Sequence, residues 1–240
     1  MSGILIYTEE EAKRNEFAIK KFTENLDVIL VNENYRGDAD YVINRTNNYK
    51  VGEYFEKKGI RVFNPSSLSK IANDKQLCYE LMERNGIEIM PINYKGEPVI
   101  KKKSNSHGGK DVYMLEKAEP FEEGYVYQKP ASDLGKDVRV WLIGGKIITS
   151  ILRSNNNDFR SNFCLGGEAS IYSLNDEERE LVYKIAGLIK HDYIGIDFIF
   201  NNGKIVFNEI EDTVGARMVY SLCDIDIIKL YCDYIKRARN

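Results

Sequence analysis

The chain has 240 residues, 43% of them hydrophobic and 30% charged, with a net charge of −3 and both signs interspersed. This is the balance of a globular protein with a sizeable core, enough for one elaborate domain or two small ones. It argues against a nucleic-acid partner recruited by a basic arm, and no apolar run approaches a membrane span.

Residues 3 to 8 read as a strand and Glu9 to Glu24 as an amphipathic helix with Phe17, Ile19 and Phe22 inward. Strands follow at Val28 to Val31 and Tyr41 to Ile43, then a helix from Val51 to Lys58 ended by Gly59, and a strand from Ile60 to Phe63. Strands alternating with helices predict a small, mostly parallel α/β sheet closing near residue 70. A helix from Asn73 to Arg84, capped by Asn73 or Asp74, leads into short strands at Val99 to Lys101, Val112 to Leu115 and Tyr125 to Gln128. This middle part predicts a small antiparallel sheet with little helix. A hairpin over Val138 to Leu152 turns at Gly144-Gly145, a polar loop runs from Arg153 to Gly167, and helices are expected at Asp176 to Lys190 and Asp224 to Arg237. Cys78, Cys164, Cys223 and Cys232 lack metal-ligand or redox spacing and read as idle thiols of a reducing compartment. With an N-terminus that enters a strand directly, a cytoplasmic location is expected.

Between the last two helices stands the most informative stretch, Asp197 to Gly215. Two apolar runs are joined by Asn201-Asn202-Gly203, a strong hairpin signal. Glu209 and Glu211 are two apart on one strand and leave the same face; the antiparallel return brings that face beside Asp197, expected at one end of the first strand. Any one of these acids could be a solvated surface charge. Ile196, Phe198, Ile205, Val206, Phe207 and Ile210 make both strands look buried, however, and converging carboxylates there repel unless a cation lies between them. Hard oxygen donors without nearby Cys or His suit Mg²⁺ or Mn²⁺.

Carboxylate-bound Mg²⁺ commonly shares its coordination with phosphates. Candidate phosphate partners are Lys75 at a helix start, Lys101 at a strand end, and the glycine-bearing loop Ser106-His107-Gly108-Gly109-Lys110, whose amides could wrap an anion. The loop is neither a Walker A sequence nor a dinucleotide fingerprint. Arg160 and Asn162 are further donors on one side of an extended run, suited to an oxyanion.

In this order, lysine, glycine loop, Asp158-Phe159-Arg160-Ser161-Asn162 and acidic hairpin, the chain resembles the ATP-grasp superfamily, specifically its RimK-like carboxylate-amine ligases. The resemblance covers residues 60 to 240. It implies an ATP-grasp fold, α/β at the N-terminus and α+β in the central and C-terminal parts, with an abbreviated N-terminal α/β domain over 1–70, a small helix-poor lid over 71–130 and a metal-bearing subdomain over 131–240. It implies ATP and Mg²⁺ as cofactors, with Mg²⁺ on Asp197, Glu209 and Glu211. ATP would be held by Lys75, Lys101, Ser106, His107, Gly108, Gly109, the hinge Gln128-Lys129-Pro130, Asp137, Arg160, Ser161 and Asn162. Arg160 and Asn162 would act catalytically, and Arg45, Arg139, Arg153 and Arg217 are candidates to hold an acidic substrate. Glu211 stands where the family usually has Asn, and Lys129 replaces the hinge glutamate.

The activity so implied is ATP-dependent carbon–nitrogen ligation through an acyl phosphate, adding an amino acid or amine to a small acid or peptide, with a homodimer compatible. The competing readings are an ATP-grasp enzyme that forms esters or macrocycles on peptides, and a nucleotide-binding module without ligase activity.

Overall fold

The computed structural model describes residues 2–106, 111–117, 119–155, 157–161 and 167–239. His107, Gly108, Gly109, Asn162 and Cys164 lie outside the described residues.

The described residues build three sheets. The first is four-stranded and wholly parallel, in the order β2-β1-β3-β4, from β1 (Gly3–Tyr7), β2 (Val28–Asn32), β3 (Tyr41–Asn44) and β4 (Arg61–Phe63). Its central strands β1 and β3 are buried throughout, as the unbroken apolar runs GILIY and YVIN require when helices cover a sheet. The expected first helix is two, α1 (Glu9–Arg14) and α2 (Glu16–Asn25), because Asn15 breaks the helical geometry and turns its side chain back to the Glu11 carbonyl at 2.8 Å. Phe22 is buried, but Phe17 is 55% exposed, contrary to the inward position expected of it. Helix α3 (Tyr49–Glu56) follows, and α4 (Ser66–Ala72), unforeseen in the sequence, leads into α5 (Lys75–Arg84), whose N-cap Asp74 accepts from the Leu77 amide.

The second sheet is small and antiparallel, β6-β5-β7, from β5 (Val99–Lys103), β6 (Val112–Leu115) and β7 (Tyr125–Gln128). The third is five-stranded and antiparallel, β10-β9-β8-β11-β12, from β8 (Asp133–Ile143), β9 (Lys146–Ser154), β10 (Glu168–Ile171), β11 (Tyr193–Asn201) and β12 (Lys204–Glu211). Helix α6 (Asp176–Ala186) opens on a capping box between Asn175 and Glu178 and ends earlier than Lys190. Short α7 (Arg217–Leu222) and edge strand β10 were not foreseen; α8 (Ile227–Ala238) closes the chain. No helix among the described residues is long and apolar enough to cross a membrane.

The acidic hairpin forms with its expected turn: Asn202 and Gly203 both have positive φ, 52° and 75°, and Asn201 pairs with Lys204. Ile196, Phe198, Ile205, Phe207 and Ile210 face one core, where each fully buried side chain contributes roughly 1.5–3 kcal/mol. The opposite face belongs to the carboxylates. Asp197 sits at the middle of β11 rather than at its end. The register shifts beside it, from Asp197↔Glu209 to Phe198↔Phe207, leaving Asn208 as the extra residue of a bulge.

Candidate active site

Alternation along four strands sends a row of charges to one face of the third sheet. Arg139 on β8 is the register partner of Asp197 on β11, which is in turn the partner of Glu209 on β12, and Asp137 on β8 faces Arg153 on β9. The charges close into a network. Arg139 grips Asp197 with two bonds of 2.7 Å and reaches Glu211 at 2.6 Å, while Arg153 donates to Asp137 at 2.6 Å and to Asp197 at 2.8 Å. Buried Asp197 is held below the usual carboxylate range because two guanidinium groups outweigh the cost of its burial. Asp137, with the single guanidinium of Arg153, is pushed up by burial.

Asp197, Glu209 and Glu211 come within 4.8 Å of one another through one oxygen each. Burial pushes Glu211 up to about 7, and the charges of Asp197 and Glu209 push the same way, although 26% of its side chain stays exposed. Arg139 lies between Asp197 and Glu211, Arg153 is shared between Asp197 and Asp137, and the donor set that the three converging carboxylates offer is entirely hard oxygen. That chemistry fits a divalent ion such as Mg²⁺.

Asp137, Arg153, Asp197 and Glu209 border a cavity of about 100 Å³ between the second and third sheets. Lys75 enters it from the first turn of α5, donating to the Ser106 carbonyl at 2.5 Å and lying 3.7 Å from Glu209. The start of that helix is tied to the same loop, since the Lys75 amide donates to the Ser104 carbonyl at 3.0 Å. Lys101, expected here, is elsewhere: it lies on the other face of β5, bound to Glu119 and Glu122 at 2.5 and 2.7 Å. Its neighbour Lys102 takes the cavity face with Ile100, bonds Asn208 at 2.9 Å, and is lowered to about 8 by burial. The strand phase explains the correction, because residues 100 and 102 share a face and 101 does not. Asn208 was also missed. The bulge turns it to the same side as Glu209, and no compositional signal announces a bulge.

At the link between the two sheets, Gln128 is 1% exposed and lines the cavity. Its Nε2 donates to the Met90 carbonyl at 3.3 Å, while its Oε1 is buried with no hydrogen-bond partner among the described residues. Lys129 is exposed and its amide is spent on the Pro91 carbonyl at 2.8 Å; half-buried Pro130 hands the lining on to Ala131. Ile100, Val112, Ala131, Leu134 and Ile199 supply an apolar stretch of wall. Arg160 and Ser161 line the far side, Arg160 folded onto Asp158 at 2.7 Å and Ser161 buried against Asp137. Their loop is clasped by Gly135, which donates to the Phe159 carbonyl and accepts from the Asn155 amide, each at 2.8 Å.

Of the four arginines considered for an acidic substrate, Arg139 and Arg153 are consumed by the carboxylate network. Arg45 and Arg217 meet in a second cleft.

Comparison with known proteins places this geometry in a family. A family model described as RimK-like ATP-grasp domain matches residues 83–235. The chain is 33% identical to uncharacterized protein MG011 of Mycoplasma genitalium over 80% of its own length and 73% of that protein's. It is 27% identical to a probable alpha-L-glutamate ligase of Methanococcoides burtonii over 77% of the chain and 70% of the relative. The ATP-grasp ligase PsnB, solved with a minimal precursor, superposes with a TM-score of 0.73 over 100% of both chains at 16% identity, a likeness of fold. Four such sequence relatives are spanned by this chain over 61% to 73% of their length. The chain belongs to the RimK-like ATP-grasp family of ATP-dependent ligases.

Proposed function

We propose that this protein joins a carboxylate to an amine at the expense of ATP, through an acyl phosphate, with Mg²⁺ and alternatively Mn²⁺ as the metal. The observation that carries the reading is the meeting of Lys75, Lys102, Asp137, Asp197 and Glu209 around one cavity that also has an apolar stretch of wall, with Glu211 converging on Asp197 and Glu209. Two ammonium groups offer phosphate contacts, and the apolar wall ending at the unpartnered Gln128 Oε1 offers a slot for a planar base with an amino group to donate.

Asp197, Glu209 and Glu211 would hold the metal, which when bound supplies charge neutralisation for the phosphates. Arg139 and Arg153 keep Asp197 ionised and fixed, so the site is preorganised. Lys75 and Lys102 would hold phosphate oxygens, Lys102 taking the part first expected of Lys101. Ser106 presents its carbonyl to Lys75, and the neighbouring His107, Gly108 and Gly109 are retained as candidate phosphate amides. Arg160, released from Asp158, would steady the transferred phosphoryl group or the tetrahedral oxyanion together with Asn162. Residues 1–70, 71–130 and 131–240 would act as substrate platform, lid and catalytic subdomain. The carboxylate belongs to a small acid or peptide, and the enzyme works in the cytoplasm.

The test is ADP release over a panel of carboxylates and amines, with hydroxylamine added to trap the acyl phosphate as a hydroxamate. Substrate-dependent ADP together with hydroxamate supports the ligase. ATP bound tightly but never turned over across the panel refutes it in favour of a binding module.

A further inference from the structure

The first sheet leaves one apolar strand open. Strand β2 pairs with β1 alone and so forms an edge, and its run Val28-Ile29-Leu30-Val31 leaves Ile29 58% and Leu30 42% exposed, on opposite faces of the sheet. An exposed apolar edge invites another strand, and edges are ordinarily blunted by short length, charge, proline or a bulge. The other edge of this sheet is blunted in that way: β4 has three residues, and its Arg61 is turned onto Asp192 at 2.5 Å. Strand β2 runs for five residues with no charged side chain, no proline and no register shift.

The backbone of β2 defines what fits against it. The Gly3 amide donates to the Asp27 carbonyl at 3.0 Å and the Arg45 amide to the Ile6 carbonyl at 2.9 Å, so Gly3, Leu5 and Tyr7 serve β2 while Ile4 and Ile6 serve β3. In a parallel ladder of that phase, Ile29 and Val31 point their N–H and C=O groups at β1, and Val28, Leu30 and Asn32 point theirs outward. Two of the outward groups are taken within the chain: the Val28 amide donates to the Leu26 carbonyl, and the Asn32 carbonyl accepts from the Tyr35 amide, each at 3.1 Å. Among the described residues this leaves the Leu30 N–H and C=O, the Val28 C=O and the Asn32 N–H to an added strand.

These groups complement one another about Leu30. When two copies of β2 run antiparallel across a two-fold axis at that residue, the Leu30 residues exchange both bonds, and the Asn32 N–H of each copy meets the Val28 carbonyl of the other. Every free group then has a partner, and the Val28 amide and Asn32 carbonyl, which such a ladder would also join, are the two already satisfied. Leu30 packs on its symmetry mate and Ile29 on Val31 of the other copy. Asp27 comes opposite Glu33 just beyond the strand, but Glu33 has turned one carboxylate oxygen into the fold, where it is buried. We infer that β2 is a dimer interface, at which a second copy of this chain adds its own β2 antiparallel, centred on Leu30, and joins the two four-stranded sheets into one. The interface belongs to the first sheet and does not depend on the reading of the nucleotide site.

Sedimentation equilibrium of the intact protein should show its mass rising from 27.7 kDa toward twice that value with concentration. An edge contact belongs to the small class of interfaces, so the dissociation constant should lie at roughly 1–100 µM. Leu30→Lys sets two ammonium groups opposite each other across the axis and should raise that constant about tenfold or more, while the circular dichroism and melting temperature of this exposed-site variant stay unchanged. Cross-linking reads the register. Leu30→Cys puts facing Cα atoms about 5.5 Å apart, inside the range of about 4.4–6.8 Å that a disulfide spans, so oxidation should give a covalent dimer. Asn32→Cys stands roughly 13 Å along the strand from its mate and should not cross-link, and the native chain, with Cys78 and Cys232 buried, sets the baseline. A single-chain mass up to about 500 µM, a dimer undiminished by Leu30→Lys, or cross-linking at Asn32 without cross-linking at Leu30 overturns the inference.

Discussion

Lys102 on β5 donates to Asn208 on β12 at 2.9 Å, so one buried ammonium spans the cavity between the second and third sheets. Its neighbour Lys101 points the other way, into Glu119 and Glu122. The two lysines should therefore separate cleanly by mutation. Lys102→Met should weaken ATP by roughly tenfold to a hundredfold, the worth of a charge-assisted hydrogen bond. Lys101→Met, which removes contacts to two exposed carboxylates, should change it by less than about twofold. Equilibrium binding of a fluorescent ATP analogue measures both, and equal losses would contradict the assignment.

The same lysine gives nucleotide binding a pH dependence. Burial lowers Lys102 to about 8. ATP affinity should be level below that pH and fall by up to about tenfold per unit above it as the ammonium is lost. The stability of the nucleotide-free protein should move oppositely. A lysine whose folded value lies below its unfolded value costs stability while charged, and the cost is relieved as pH rises from about 8 toward 10.5. Affinity and melting temperature measured between pH 6.5 and 10 should show both trends, and both should vanish in Lys102→Met.

The two carboxylates that face each other across the hairpin should fail in different ways. Glu209 is 30% exposed at its side chain and among the described residues its one ion pair is with Lys75, at 3.7 Å, so Glu209→Gln should fold normally while Mn²⁺ affinity and turnover drop by about a hundredfold. Asp197→Asn leaves Arg139 and Arg153 short of their buried partner and should also cost about 3–5 kcal/mol of stability. Paramagnetic Mn²⁺ titration and urea melts distinguish the two.

Gly135 has φ of +69°, and a Cβ placed there would stand 2.3 Å from the Asn155 carbonyl oxygen. Gly135→Ala should destabilise the protein by about 2–4 kcal/mol, combining left-handed strain with a backbone clash that no rotamer relieves. Because this glycine clasps the loop carrying Arg160 and Ser161, turnover should fall more than ATP affinity, as seen in steady-state kinetics beside direct binding.

The acidic face of the hairpin was legible only in part. Asn201-Asn202-Gly203 fixes the turn and period-two alternation puts Glu209 and Glu211 on one face, but strict alternation from that turn would pair Asp197 with Asn208; the bulge at Asn208, which has no sequence signal, is what brings Glu209 opposite Asp197. Lys102 was not legible: Val99 and Ile100 are both buried, so the apolar pattern does not say which phase the following three lysines adopt. Arg139 and Arg153 were read as substrate contacts because their partners are set by pairing between β8, β9 and β11, beyond the hairpin itself. The short elements α4, α7 and β10 hold too few residues to display a period, and tertiary packing decides them.

One apolar core runs through two of the three sheets: Leu5, Tyr7, Tyr41 and Phe63 of the first pack with Trp141, Ile143, Ile151 and Tyr193 of the third, under Tyr231 and Ile235. Asn64 adds polar stitching, donating to the carbonyls of Tyr193 and Asp212 at 2.6 and 2.8 Å. The first and third sheets should consequently melt as a single cooperative unit, and on the proposed division of the chain rigid-body travel during turnover should fall to the three-stranded sheet. A fragment starting at residue 71 would lay Trp141, Tyr193 and Tyr231 open to solvent and should aggregate instead of showing a calorimetric transition of its own.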